Sequence, residues 1–321
     1  VARRVLVTGG SGFIGTNLVQ ALLDSGSQVL NLDCSPPIHP GHGVCYREID
    51  ILDAAAVDAA FREFRPEHVV HLAARTDLDQ DTTLDDYRAN TTGTENILDS
   101  ANRLAEVQRV LITSSMLVCR LGYLPDGDED YAPTTRYGES KVLTETQTRE
   151  RDIDATWSLI RPMTIWGPWH LRLENEFWKV LRKGYYVHPS GRPCRRSYGF
   201  VGNSVHQIRR LLEAPREQVH RKTFYIGDPA IELLDYINGF SMGLTGRKVR
   251  LVPYPVMKTG AMLGDLLAAV GWKGVPLTSF RLTNMTRDNL LDVSPTLEVT
   301  GLNPFTLEQG IEQTVAWLKS R

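Results

Sequence analysis

Tyr137 and Lys141, in the run Tyr137-Gly138-Glu139-Ser140-Lys141, are four residues apart and fall on one face of any helix that carries them. A cation held close to a phenol lowers its pKa from about 10, typically by one to three units, toward the range of a general base. Alone, a tyrosine and a lysine at helical spacing are more often a surface pair than a catalytic one. Upstream, however, Thr8-Gly9-Gly10-Ser11-Gly12-Phe13-Ile14-Gly15 places glycines three and six residues after Gly9, between an apolar run and a helical pattern. Gly9 permits a tight turn, Gly12 lets backbone approach a pyrophosphate, and Gly15 lets the next helix pack closely. The first turn of that helix offers free N–H groups and a partial positive charge to phosphates. Asp33 stands 18 residues beyond Gly15, at the end of the next apolar run. A carboxylate there accepts hydrogen bonds from an adenosine ribose and repels the extra phosphate of NADP, so NAD is the expected cofactor. Asp50 is placed either to reach the adenine amino group or to stand as a solvated loop acid.

Those residues need elements to position them. Val5–Val7, Gln28–Asp33, His68–Leu72, Arg109–Thr113 and Ala155–Ile160 read as short buried strands. Helical patterns lie between them, around Leu18–Leu23, Ala54–Phe64, Asp86–Arg103 and Tyr137–Arg149. That alternation predicts an α/β chain: a Rossmann-type, doubly wound parallel sheet with helices on both faces. After Pro162 the rhythm changes. A helical stretch covers Glu174–Arg182, a basic turn-rich one His188–Arg196, and a strand–helix pair Thr223–Gly239, while Pro253, Pro255, Pro276, Pro295 and Pro304 suggest a looser final third. The expected division is a dinucleotide-binding domain over 1–165, with a segment at about 196–215 returning to it, and a smaller α/β substrate domain over 166–321.

Composition sets outer limits. In 321 residues, 36 Lys and Arg face 38 Asp and Glu, a net charge of −2. That balance gives no reason to expect nucleic acid or a membrane as partner. Hydrophobic residues at 42% and charged ones at 23% are globular values that argue against wholesale disorder. Cys34, Cys45, Cys119 and Cys194 form no Cys-x-x-Cys pair, which fits a reducing cytoplasm and suggests no metal site. No signal peptide or membrane-spanning run is read.

With these motifs in order, the sequence resembles the extended short-chain dehydrogenase/reductases, the nucleotide-sugar epimerases and dehydratases. Besides the glycine loop and the Tyr137/Lys141 pair, the resemblance includes His71-Leu72-Ala73-Ala74, Asn90 with Gly93-Thr94, Thr113-Ser114-Ser115, Arg161-Pro162, Ile165-Trp166-Gly167-Pro168, Arg196 before Phe200-Val201, and Asp292-Val293-Ser294-Pro295. It implies that Ser115 holds the substrate oxygen, that Tyr137 exchanges its proton, and that Lys141 holds the nicotinamide ribose and tunes Tyr137. It implies further cofactor contacts from Phe13, Ile14, Ile51, Leu72, Ala73, Ala74, Asn90, Thr113, Arg161 and Pro162, and substrate contacts from Thr164, Asn175, Arg196 and Arg281. Hydride chemistry of this kind needs no metal.

The sequence also departs from the family. Met116 and Leu117 follow Ser115 where its dehydratases carry an acid pair and its decarboxylases a glutamate, which argues against both reactions. Cys119 replaces a common tyrosine, and Val201-Gly202-Asn203 replaces an aspartate-bearing segment. The leading expectation is therefore an NAD-dependent epimerase of a nucleotide-diphosphate sugar, most simply at C4. A reductase or dehydrogenase of a keto-sugar or other carbonyl is the alternative, and a non-catalytic dinucleotide sensor is the reading from another class. Members commonly form homodimers through two helices each, here the stretches 86–103 and 137–151, with Leu143 among the residues expected to be buried.

Overall fold

The computed structural model describes residues 3–78, 81–272 and 274–321. Two compact units divide the chain. The first comprises Val1–Ile165, Gly199–Asp228 and Asp292–Pro304, and the second Trp166–Tyr198, Pro229–Leu291 and Phe305–Arg321.

The first unit is built on seven strands: β1 (Arg4–Thr8), β2 (Gln28–Asp33), β3 (Tyr46–Glu48), β4 (His68–His71), β5 (Arg109–Thr113), β6 (Thr156–Pro162) and β7 (Lys222–Ile226). They form one parallel sheet in the order β7-β6-β5-β4-β1-β2-β3. The crossovers are α1 (Phe13–Asp24), α2 (Ala54–Phe64), α3 (Thr92–Asn102) and α4 (Arg136–Glu150), and α5 (Val201–Glu213) precedes β7. Leu6, Val69, Val110 and Ile112 pack with Phe61, Ile97 and Leu98 of α2 and α3, while the alternate residues Val5, Val7, Val70 and Leu111 are buried on the other face. A sheet covered on both faces explains why the strands read as continuous apolar runs rather than as alternating ones.

α4 is fixed to β6 by a buried ion pair. Both oxygens of Glu145 accept from Arg161, through Nε and Nη2 at 2.7 Å each, and Tyr131 donates to Glu145 at 3.0 Å. Arg161 and Glu145 are fully buried. Burial pulls the guanidinium pKa down, and the Glu145 carboxylate more than reverses it.

Two expectations are corrected. The predicted helix over 86–103 begins only at Thr92, after a 3-10 turn at Leu84–Tyr87. At the break the Asn90 carbonyl accepts from the hydroxyls of Thr94 at 2.8 Å and Thr144 at 2.6 Å, side-chain bonds that compete with a helical N–H for it. The final third is not loose, since helices cover Tyr254–Ala269, Ser279–Thr286, Ser294–Thr300 and Leu307–Lys319. Pro253 is the N-cap of one of them, and Pro255 and Pro295 sit in first turns, where the missing N–H costs nothing.

In the second unit, Val187–Ser190 pairs with Arg250–Pro253. The helices Leu233–Thr245 and Leu307–Lys319 pack closely because Gly239 and Gly243 leave room for Ile311 and Val315. Trp166, Trp178, Tyr236 and Phe240 fill that unit's core with mainly edge-to-face contacts.

Removing one partner of a buried ion pair leaves the other charge uncompensated. Glu145→Leu is therefore expected to lower the free energy of unfolding, measured by urea titration, by about 3 to 5 kcal/mol. A loss below about 1 kcal/mol, within the range of an exposed pair, would show that the pair does not hold α4 to β6.

Candidate active site

Because all seven strands run the same way, their carboxyl ends share one edge of the sheet. β1 sits between β2 and β4, so the strand order reverses there and leaves a crevice, the usual ligand position in such sheets. β1 ends in the glycine loop, β2 in Asp33, β4 in Leu72–Ala74, and β5 in Thr113 and Ser115.

The glycines have steric reasons. Gly9 has φ +69°, and a Cβ there would stand 2.6 Å from the Ala73 nitrogen. A Cβ on Gly15 would run into the Gly9 carbonyl oxygen, so the close contact of α1 is with the loop itself. Gly10 makes room for Asn31, whose amide donates to Ser11 Oγ at 3.2 Å. Gly12 is the N-cap of α1 and makes no side-chain hydrogen bond to it, and a helix N-terminus of this kind favours an anion. Asp33 accepts from the Ser11 N–H at 3.0 Å and the Ser35 N–H at 2.9 Å, which holds its carboxylate beside the loop.

Tyr137 and Lys141 lie on the buried face of α4 with Thr144 and Glu145. Burial raises the Tyr137 pKa, a hydrogen bond with Ser115 lowers it, and the charge of Tyr87 raises it again. Lys141 is fully buried, its Nζ donating to the Thr113 carbonyl at 2.8 Å. Burial brings its pKa down to about 7, against the pull of Glu145. Among the groups that act on the Tyr137 pKa, Ser115 is the one that lowers it, while Lys141 gives one of its three donors to the backbone of β5. Ser115 also accepts from the Leu117 N–H at 3.1 Å, which fixes its hydroxyl.

Beneath the edge runs a polar chain with one consistent set of donors. Thr94 Oγ1 donates to the Asn90 carbonyl at 2.8 Å, and so accepts from His71 Nε2 at 3.1 Å. His71 Nδ1 then accepts from Thr8 Oγ1 at 2.7 Å, and Thr8 Oγ1 accepts from the Ala73 N–H at 3.2 Å. Burial first, and the Lys141 charge second, bring the His71 pKa down to about 3, so the ring is neutral. Asn90 donates to Ser140 Oγ at 2.8 Å, joining this chain to α4.

Other expected contacts have their side chains committed to the protein. Both amide donors of Asn90 and its oxygen are engaged with Arg75 and Ser140. Arg161 is enclosed by Glu145, Tyr225 and the Asp128 carbonyl. Ile51 is buried against Gly93, and exposed Asp50 accepts from the Leu52 N–H at 2.9 Å. Phe13, Ile14, Leu72, Ala73, Ala74, Pro162 and Thr164 are half-buried in the first unit, and Thr113 is buried there. Asn175, Arg196 and Arg281 belong to the second unit. Asn175 and Arg281 are exposed and donate to the carbonyls of Leu171 and Pro276, while Arg196 is buried and donates to that of Arg287. Cys119 is buried, its thiol donating to the Asp130 carbonyl. Among the described residues, no group of three His, Cys, Asp or Glu is arranged to hold a metal.

Asn31 and Glu145 were not singled out from the sequence, and Thr94 and Ser140 entered it only as members of motifs, with no role. A polar residue inside the apolar run of β2 was the available signal for Asn31, and helical spacing from Tyr137 and Lys141 was the signal for Glu145.

The description "NAD dependent epimerase/dehydratase family" matches residues 5–227. The chain belongs to this family, and NAD is its cofactor. The residues fit that group, since the tight glycine loop leads straight into the N-terminus of α1 at the carboxyl edge and the buried Thr113 Oγ1 has no partner among the described residues. A 3 beta-hydroxysteroid dehydrogenase/Delta 5→4-isomerase of Mycobacterium tuberculosis is 34% identical over 216 residues, 63% of this chain. The match spans 58% of that relative's length. An N-acetyl-alpha-D-glucosaminyl-diphospho-ditrans,octacis-undecaprenol 4-epimerase of Escherichia coli O157:H7 is 26% identical, over 98% of this chain and 94% of its own. The crystal structure of a Thermus thermophilus UDP-glucose 4-epimerase complex with NAD superposes with a TM-score of 0.71 at 22% identity, covering 98% of this chain and 99% of that one. It shows the same fold.

The position of Asp33 generates a cofactor prediction. NAD is expected to bind at least tenfold more tightly than NADP in calorimetric titration, a difference of about 1.4 kcal/mol. Asp33→Ala should narrow the gap; equal affinities in the unsubstituted protein would remove Asp33 as the discriminating group.

Proposed function

We propose that the chain is an NAD-dependent epimerase acting at C4 of a nucleotide-diphosphate sugar. The observation that carries this reading is the Tyr137 hydroxyl hydrogen-bonded with Ser115, at the carboxyl edge that also holds the glycine loop. Ser115, fixed by the Leu117 N–H, orients a substrate hydroxyl toward Tyr137, which takes its proton and later returns it. Lys141, with a pKa of about 7, gives the buried site a group able to pass a proton near neutrality, and it holds the cofactor ribose. When bound, NAD supplies the hydride acceptor and donor. Arg196 of the second unit is proposed to contact the diphosphate, with Nε as a buried donor that has no partner among the described residues. Thr164, Asn175 and Arg281 are proposed to complete the substrate contacts. Met116 and Leu117 supply no acid for elimination, which favours epimerisation over dehydration. A second reading, oxidation of a secondary alcohol on another carbon skeleton, is favoured by the 34% identity to the hydroxysteroid dehydrogenase.

Tyr137→Phe keeps the ring and removes the hydroxyl. Turnover is expected to fall by about 10² to 10⁴, with NAD binding retained. The two readings separate when UDP-glucose and UDP-glucuronate deuterated at C4 are offered with NAD in parallel with a 3-beta-hydroxysteroid. An epimerase keeps the label on C4 of the product and leaves reduced cofactor flat. Accumulation of NADH mole for mole with product would overturn the epimerase reading in favour of the dehydrogenase.

A homodimer formed through α3 and α4 is part of the proposal. Leu143 on α4 is 40% exposed in the single chain, available to such an interface. Light scattering at micromolar concentration is expected to give twice the 36.0 kDa chain mass, and a monomer mass would contradict it.

A further inference from the structure

The helix Tyr254–Ala269 of the second unit is apolar on two opposite faces. Met257, Ala261 and Gly264 recur at helical spacing and are buried, packing on neighbours that include Leu282 and Leu277. The other stripe, Leu263, Leu266 and Val270, is 58%, 66% and 81% exposed, and Trp272 just beyond it is 63% exposed. Only Lys258 and Asp265 carry charge on this helix, and Asp265 is engaged in accepting from the Ser279 N–H at 3.0 Å. A surface helix ordinarily turns a polar face to water, and this one turns an apolar stripe to it instead. At 16 residues it is too short to span a bilayer, and no helix of the described residues is long and apolar enough to do so.

The charge around it is lopsided. From Arg247 to Arg281 the sequence holds six Lys and Arg against the single acid Asp265, a balance of +5 in a chain of net −2. Arg182, Lys183, Arg247, Lys248 and Arg250 line a cavity of about 220 Å³ that has no acidic residue in its wall. None of these five forms an ion pair among the described residues. Arg250 also opens the strand that leads directly into the helix.

We propose that this part of the second unit docks on the surface of a bilayer bearing anionic phospholipids. The helix lies in the interfacial plane with Leu263, Leu266 and Val270 in the acyl boundary, and the cavity's cations take lipid phosphates. Charge selects this occupant. A second copy meeting the patch face to face would bring the same positive surplus against itself, whereas an anionic lipid surface complements it. The expectation of no membrane partner rested on net charge averaged over the whole chain, which hides this segment. The proposal does not depend on the catalytic reading.

Co-sedimentation tests it, using vesicles of phosphatidylcholine alone and of equal parts phosphatidylcholine and phosphatidylglycerol. Binding is expected to the mixed vesicles only, and to weaken with added salt. Lys248→Ala is expected to reduce partitioning about fivefold, as for one cation near an anionic surface. Leu263→Glu with Leu266→Glu is expected to abolish it, and both variants should keep the unfolding temperature because these side chains are exposed. Should the double variant fail to fold, Lys248→Ala carries the test alone. No binding to either vesicle, equal binding to both, or unchanged binding of Lys248→Ala would overturn the proposal. So would a dimer mass that falls to the monomer value in the double variant, which would assign the patch to a second copy.

Discussion

A parallel sheet leaves every strand's carboxyl end on one edge, and the reversal of strand order at β1 opens that edge into a crevice. The rest of the first unit depends on this constraint. The glycine loop, Asp33, Leu72–Ala74 and Ser115 are far apart in sequence, and each simply follows its own strand. The crevice closes tightly enough that Gly9 leaves no room for a Cβ beside the backbone after β4. The loop passes straight into α1 through a glycine N-cap, so the positive end of that helix dipole stands at the crevice, where it favours phosphate.

Polar groups below the edge hold it rigid. In a low-dielectric interior an unmade hydrogen bond costs more than a made one contributes, so a buried chain is stable only when its members are paired. From Thr8 through His71 and Thr94 to Asn90 each donor has an acceptor, and Asn90 passes the connection to Ser140 on α4. The neutral state of His71 is part of that arrangement, since a protonated ring would have two donors where the chain provides one acceptor. Glu145 and Arg161 fix the same helix to β6. Tyr137 and Lys141 thus stand on a helix held at two points of its buried face, Ser140 and Glu145. The Thr113 and Ser114 hydroxyls, without a partner among the described residues, lie at the end of β5, next to Ser115.

The second unit follows different rules. Its core is aromatic, its strands are short, and its surface charge is sharply uneven. Pro253 and Pro255, which looked like breaks, mark a helix start, because a residue without an N–H fits where helical N–H groups have no partner in any case. Asp228 shows how the first unit gathers its late segments. It accepts from the Phe200 N–H at 2.6 Å and from the Asn203 and Asn303 side chains at 2.7 Å each. Burial raises its pKa to about 6 in spite of those bonds.

The amino-acid sequence by itself determined the strand and helix rhythm, the glycine loop, Asp33 and the Tyr137/Lys141 pair. Each of these is a local pattern, set by steric demands on a turn or by the period of a helix. Tertiary structure alone decided which neighbours those groups meet. Lys141 donates to the Thr113 carbonyl and Ser115 is hydrogen-bonded with Tyr137, contacts that no spacing along the chain announces. Asn90 and Arg161, read as cofactor contacts, are spent on Arg75, Ser140 and Glu145, partners 15, 50 and 16 residues away. Such pairings leave no periodic trace, because a hydrogen bond between segments depends on where the sheet brings them and not on spacing along the chain. The exposed stripe of Tyr254–Ala269 is of the same kind: the sequence shows an apolar helix, and only packing decides which of its faces is left uncovered.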